Sequence, residues 1–286
     1  MNDAIPDELC RGKTKIISRV AACPGAVEIT ETDRMTAGNG ARDEMCPRKG
    51  EYSTTVNHHA MSLLRRSGQS VSYVRQTGPN TRIDIKGIMF PYEVVVIREV
   101  TKPSSLRKRE PNLEVGTRFD KPRVAFFLKT KERTFAHYTL PDDDPLIVGK
   151  GMGGILVCHP GKPEGDGNPL IHISAEALFG EKGMHPFEEM ERMALDDFLV
   201  LEHGWAQVGW KLCDWKGEFA LGADGRLMLA DTIDPDSCRL LDENGQHKDK
   251  QPFREQAPIE VMAEIYREVA ERITRFDEID RVPLSR

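Results

Sequence analysis

The sequence predicts an α+β fold. Short strand-like runs crowd the first hundred residues, the long helical stretches come later, and no regular strand–helix–strand alternation links them. Lys15–Val20 and Ala26–Thr30 read as apolar strands around the turn material Ala22-Cys-Pro-Gly25. Residues 53–66 read as a helix ending at Gly68, with Val56, Ala60, Leu63 and Leu64 on its apolar face. Val71–Arg75, Arg82–Ile85 and Glu93–Ile97 are further strands. Pro91 and Pro103 bracket the last of these and divide the chain into a strand-rich domain over 1–98 and a larger α+β domain over 99–286. The larger domain holds a strand at Val124–Lys129, a long helix near 187–203, an acidic hairpin and a C-terminal helix over 258–275. Seven glycines fall between 149 and 168 around Ile155-Leu-Val-Cys158. A surface hairpin is expected there, with a lid over a site as the other reading.

Bulk properties bound the function. A chain of 286 residues buries a sizeable core, and 39% hydrophobic with 30% charged residues describes an ordinary globule. A net charge of −6 and a pI near 5.8 argue against a partner such as a nucleic-acid polymer, which calls for a broadly basic surface. The six cysteines include no C-x-x-C and no metal-like Cys/His spacing, so reduced thiols and a cytoplasmic location are expected. The acidic start, Met-Asn-Asp-Ala-Ile-Pro-Asp-Glu, lacks the apolar core of a secretory leader. No run approaches the ~20 apolar residues of a membrane span.

The most informative feature is the acidic hairpin. Asp214-Trp-Lys-Gly-Glu-Phe-Ala-Leu221 and Leu227-Met-Leu-Ala-Asp231 flank Asp224-Gly225, a strong signal for a two-residue type I′ turn. With that turn, 223 pairs with 226, and Glu218 stands opposite Asp231. Facing carboxylates repel, and a divalent cation between them turns that cost into a site of hard oxygen ligands. Lys216 shares the face of Glu218, where it can meet a phosphate. The constellation points to a magnesium–nucleotide site; an exposed hairpin with surface acids is the competing reading.

Other segments add phosphate chemistry. Arg11-Gly-Lys-Thr-Lys15 places Lys13 and Lys15 on one side of a strand, with Gly12 permitting close backbone approach. It is not a Walker A loop: Asp7 stands where the first glycine belongs, and a strand follows rather than a helix. Asp33-Arg-Met-Thr-Ala-Gly-Asn-Gly-Ala-Arg42 is a small-residue loop suited to an anion nest or a plain turn. Asp236, Arg239, Lys250 and Arg254 gather charge downstream of the paired acids, and arginine forks suit phosphate and carboxylate. His58 and His59 are adjacent on a helix and point different ways, which disfavours a joint metal role. Trp205, Trp210 and Trp215 read as core.

Taken in order, these segments resemble the phosphoribosylaminoimidazole-succinocarboxamide synthase (SAICAR synthetase) family. The resemblance rests on Arg11-Gly-Lys-Thr-Lys15, Thr36-Ala-Gly-Asn-Gly-Ala-Arg42, Arg48-Lys-Gly50, Asp214-Trp-Lys-Gly-Glu-Phe219, Ala230-Asp-Thr-Ile-Asp-Pro-Asp-Ser-Cys-Arg239 and Lys248-Asp-Lys-Gln-Pro-Phe-Arg254. It implies a two-part, ATP-grasp-like fold with antiparallel sheets and ATP in a cleft. It also implies a ligase that uses ATP and Mg²⁺ to join L-aspartate to the carboxylate of carboxyaminoimidazole ribotide through an acyl phosphate. By position, Lys13, Lys15 and Lys129, with Glu218 and Asp231, match the ATP site, and Glu218 and Asp231 match the magnesium ligands. Lys216 and Asp214 match catalytic positions beside the ribotide, and Asp236, Arg239, Lys250 and Arg254 match substrate contacts. The partners implied are small molecules, with a homo-oligomer left open.

One segment departs from the family pattern. Ile97 occupies an arginine's place, and Lys102-Pro103 stands where a Gly-Ser turn is expected, so Arg98, Ser104 and Ser105 are the candidates to compensate. Asp142-Asp-Asp-Pro145 fits the aspartate-side segment, but the glycine-rich insertion follows at once. A second reading follows: a paralogue using the same ATP chemistry on a related ribotide or nucleoside.

Overall fold

The computed structural model describes residues 8–102, 104–165, 167–179 and 186–284. Three features used in the sequence reading lie outside them: the first seven residues, Pro103 and Asp166 of the glycine-rich segment. The chain forms two compact units. The first comprises the chain up to Met89, Asp196–Leu212 and everything from Phe219; the second comprises Phe90–Leu195 and Cys213–Glu218. The sequence reading cut the chain once, after residue 98, whereas here it passes between the units four times.

The first unit opens with β1 (Glu8–Arg11), β2 (Lys15–Arg19), β3 (Ala26–Glu31), β4 (Arg34–Ala37), β5 (Arg42–Met45), α1 (Lys49–Arg66), β6 (Tyr73–Gln76), β7 (Thr81–Ile85) and β8 (Gly87–Met89). Five of these strands make an antiparallel sheet in the order β1-β2-β3-β7-β6, while β4 and β5 pair as a separate hairpin. α1 packs on β3, β6 and β7, and its expected apolar face is buried at Val56, Ala60, Leu63 and Leu64. The helix begins four residues before the expected start. Arg48 precedes it in the left-handed region, and Asp33 receives hydrogen bonds from the amides of Gly50 (2.9 Å) and Arg48 (3.2 Å). A carboxylate borrowed from the β3–β4 corner thus serves as the cap that the local sequence lacks. Gly50 is required there, because a Cβ would sit 2.6 Å from the carbonyl oxygen of Glu31.

The second unit contains β9 (Tyr92–Glu99), α2 (Ser105–Arg109), β10 (Arg118–Leu128), the short β11 (Thr134–Phe135) and β12 (Tyr138–Thr139), β13 (Leu146–Gly151), β14 (Gly154–Cys158), β15 (Ile171–Ser174), α3 (Ala175–Phe179) and the start of α4 (Phe187–Gln207). Its sheet runs β15-β14-β13-β10-β9 and gains Asp214–Gly217 of β16 (Lys211–Gly222) beside β9. β10 starts six residues before the expected strand; a register irregularity between Arg118 and Arg123 accommodates Pro122. The glycine-rich stretch contains the antiparallel hairpin β13–β14, closed at Gly151–Gly154. Ile97 is buried with Val100 and Leu106, and Ser104 caps α2 by accepting from the Leu106 amide.

Back in the first unit, the later part of β16 pairs with β8 and is followed by β17 (Leu227–Ala230), β18 (Cys238–Leu241), α5 (Gln251–Arg254) and α6 (Ile259–Ile273). The acidic hairpin exists, but its turn differs from the expected one. The amide of Gly222 donates to the carbonyl of Arg226 (2.9 Å) and that of Gly225 to the carbonyl of Gly222 (3.0 Å), with Gly225 at φ +77°. The loop therefore has three residues, Ala223-Asp224-Gly225, with glycine in the left-handed position. Closure at 222 and 226 shifts the register by one, so the count that set 218 opposite 231 does not hold. Asp231 itself leaves the strand at φ +68°. All six cysteines are free, with Cys10 and Cys23 exposed and the rest buried; Trp205, Trp210 and Trp215 are buried. Among the described residues no helix is long and apolar enough to cross a membrane.

Candidate functional site

In the first unit, a buried lysine organises the loop after β17. Lys49, 1% exposed, sits 3.7 Å from Asp234 Oδ2 and 3.7 Å from Asp236 Oδ2. Burial alone would push its ammonium down, but Asp236, Asp234 and Glu31 outweigh that and hold it charged. Asp236 also receives hydrogen bonds from Lys250 (2.9 Å) and the Tyr266 hydroxyl. Burial works against ionisation of Asp236, yet Lys49 and Lys250 bring its carboxyl well below the usual range. Asp234 shifts the other way, raised by burial and by the charge of Asp236, and accepts from Ser53 Oγ at 2.7 Å. One α1 stripe (Lys49, Ser53 and Asn57, four residues apart) holds the loop, because Asn57 Oδ1 accepts from the Ile233 amide at 2.9 Å.

Beside this node stands an electropositive pair. Arg239 Nη1 reaches the carbonyl of Cys238 at 3.4 Å, but its Nε is buried without a hydrogen-bond partner. Crowding by surrounding protein and the like charge of Arg239 both pull the Arg254 guanidinium below its ordinary value. The like charge of a second guanidinium and the unspent buried donor of Arg239 make this pair a candidate for anion binding. A third cluster pairs Lys15 with Asp231, while Lys13 is exposed just before β2.

In the second unit, one sheet face carries the chemistry. Register places Asp214 opposite Ile97 and Lys216 opposite Val95, on the face shared with Glu93. Lys216 Nζ donates to Glu93 Oε1 at 2.7 Å; burial would lower the ammonium, but Glu93 holds it raised. Glu218, 5% exposed, accepts from Lys129 Nζ at 2.5 Å. Asp144 approaches the same charges: burial raises its carboxyl, the Thr130 amide at 2.9 Å offsets part of this, and Glu93 adds to the rise. Trp215, one step along β16, points to the opposite face and is 1% exposed. Arg98 is 8% exposed and donates to the carbonyls of Phe119 (3.1 Å) and Asp120 (2.7 Å).

The structure thus brings Lys15 to Asp231, Lys250 to Asp236, Arg239 to Arg254, and Lys129 to Glu218. Sequence reasoning did not single out Lys49, Ser53, Asn57, Glu93 or Tyr266 as site residues. The four-residue spacing of the α1 stripe was the available signal. Among the described residues no three His, Cys, Asp or Glu side chains form a metal-holding cluster.

Clustered lysines and arginines among buried carboxylates, on an α+β frame of antiparallel sheets, define a class: an enzyme that handles phosphates and carboxylates. Comparison with known proteins narrows the class to a family. A family model described as SAICAR synthetase matches residues 8–139 and 162–273. The phosphoribosylaminoimidazole-succinocarboxamide synthase of Roseiflexus sp. (strain RS-1) is 30% identical over 276 residues, covering 93% of this chain and 96% of that protein. The synthase of Herpetosiphon aurantiacus is 32% identical over 252 residues, 86% of this chain and 87% of that one. Among solved structures, a SAICAR synthetase (Type-2) in complex with ADP superposes with a TM-score of 0.72 at 26% identity, covering 93% and 97%. The synthase from Ehrlichia chaffeensis has the same fold, with a TM-score of 0.71 at 23% identity, covering 93% of this chain and 98% of that one. This chain belongs to the SAICAR synthetase family and with it to the ATP-dependent ligases that form carbon–nitrogen bonds.

Proposed function

We propose that the protein joins L-aspartate to the carboxylate of carboxyaminoimidazole ribotide, consuming ATP with Mg²⁺ and giving the succinocarboxamide. A substrate carboxylate oxygen attacks the γ-phosphorus and ADP leaves. The aspartate amine then attacks the acyl phosphate, loses a proton and expels phosphate. The observation that carries this reading is the candidate anion site at Arg239 and Arg254 beside the Asp236–Lys250–Tyr266 node. Its unspent buried guanidinium donor suits a ribotide phosphate, and the buried carboxylate suits ribose hydroxyls.

Lys13, Lys15 and Lys129 supply positive charge to the nucleotide phosphates. Two of them stand in ion pairs, Lys15 with Asp231 and Lys129 with Glu218. On binding, each lysine turns to phosphate and frees its carboxylate for a cation. Glu218 and Asp231 would supply the hard carboxylate oxygens that magnesium prefers. When bound, the ion neutralises charge on the transferred phosphoryl group. Lys216, held charged by Glu93, supports the reacting carboxylate together with Asp214, and such catalysis is mainly positioning and charge stabilisation.

The test is ADP and phosphate release from Mg·ATP, the ribotide and L-aspartate, with product mass read alongside. Stoichiometric succinocarboxamide is the expected result. ADP release that ignores the ribotide, or a product of another mass, overturns the substrate assignment.

A further inference from the structure

The buried charges beneath Lys15 and Asp231 form a second constellation that the sequence reading did not identify. Arg82 is 0% exposed and Glu31 is 1% exposed, and their pair closes at 2.7 Å. Arg82 also reaches Asp84 at 3.2 Å, which accepts from Ser72 at 3.2 Å. This buried group lies between neighbouring strands β3 and β7, a costly place for charge unless every partner is supplied.

The hydroxyl of Thr232 links this group to the loop after β17. That oxygen accepts from Arg82 Nη2 at 2.9 Å and from Lys15 Nζ at 3.4 Å, and it donates to Glu31 Oε1 at 2.5 Å. A threonine hydroxyl has one donor and two acceptor positions, so all three are filled. The residue before it, Asp231, is held at φ +68°, a costly conformation for a non-glycine residue. It is in this conformation that its carboxylate meets Lys15.

We infer that Thr232 is a positioning residue for the nucleotide site. It transmits the rigidity of the Glu31–Arg82 pair to Asp231 and Lys15 and fixes the backbone turn that aims them. The inference rests on the reading that Lys15 and Asp231 serve Mg·ATP. Thr232 acts through them rather than on substrate.

The experiment uses the full chain with Thr232→Val, Thr232→Ser and, as a control for the reading itself, Asp231→Asn. Initial rates are taken against Mg·ATP and separately against the ribotide. Thr232→Val is expected to raise KM for Mg·ATP at least tenfold with KM for the ribotide within twofold, and Thr232→Ser to restore the wild-type value. Calorimetric titration with Mg·ADP is expected to show the same loss and rescue. Should Thr232→Val lose its cooperative melt, Thr232→Ala removes the same hydroxyl with less bulk and carries the same expectation. If Asp231→Asn weakens Mg·ATP but Thr232→Val does not, or if the serine variant fails to rescue, the positioning role is overturned. If Asp231→Asn leaves KM for Mg·ATP unchanged, the underlying assignment fails instead, and the inference falls with it.

Discussion

Asp236 shows how a single carboxylate couples stability to pH. Burial opposes its charge, but Lys49, Lys250 and the Tyr266 hydroxyl keep its pKa depressed. The unfolded chain therefore takes up this proton at higher pH than the native one. The stability from Asp236 is complete above the ordinary carboxylate range and is lost as pH falls through the depressed native value. Asp234, with its pKa raised, contributes in the opposite sense, because the native state protonates it first on acidification. Asp236→Asn removes the first contribution and, by taking away the neighbouring charge, also lessens the upward shift of Asp234. Its thermal midpoint is expected to fall less steeply than that of the wild type between about pH 4 and pH 2. At neutral pH the variant is expected to lose about 3 kcal/mol, the lower end for breaking a buried pair, since Asp234 still faces Lys49. Parallel pH slopes for the two proteins would mean that the native Asp236 carboxyl is not depressed.

The elements show where the sequence was legible and where it was not. The helices near 187–203 and 258–275 were readable from periodicity, and the structure places α4 and α6 there. The start of α1 was hidden, because its cap is Asp33, far back in the chain, and its first turn holds Lys49 and Gly50. A charged residue beside a glycine reads as loop until burial and a distant carboxylate are known. The hairpin was legible from Asp224-Gly225, but the pair fits two loop lengths, and one residue decides which side chains face each other. The magnesium assignment came from that hairpin count together with motif order, and the ribotide assignment from motif order. Lys49 entered the sequence reading only within Arg48-Lys-Gly50, with no role of its own. Gly50 offers the test at this scale: Gly50→Ala pushes a methyl group into the Glu31 carbonyl. An overpacking cost of about 1–3 kcal/mol is expected, and each kcal/mol corresponds to about 2–4 °C in thermal midpoint. A midpoint equal to wild type would show that α1 can move away from β3 without cost.

The order of the chain through the two units governs how the molecule folds. Up to Met89 the first unit has its sheet and α1, yet α1 also packs on α6 and on the turn at Thr274–Glu278, supplied some two hundred residues later. Met262, Tyr266, Ile273 and Phe276 are fully or nearly fully buried in that later segment. A fragment ending at residue 98, the boundary drawn from the sequence, lacks all of them. It is expected to show no cooperative thermal transition and no near-ultraviolet circular dichroism, while the full chain shows both. A cooperative melt of that fragment would mean that the strand-rich segment is a folding unit by itself.

The alternation along β16 also limits how this family can diverge. Asp214 and Lys216 lie on one face, with buried Trp215 between them on the other. Loss or gain of one residue within this stretch would send the lysine into the apolar interior and the indole toward the charged face shared with Glu93. Lineages can therefore explore this strand by substitution but not by changing its length, whereas the β13–β14 hairpin falls largely where the family match breaks off. Length variation among relatives should accumulate at that hairpin, leaving β16 as the fixed ruler against which distant sequences are aligned.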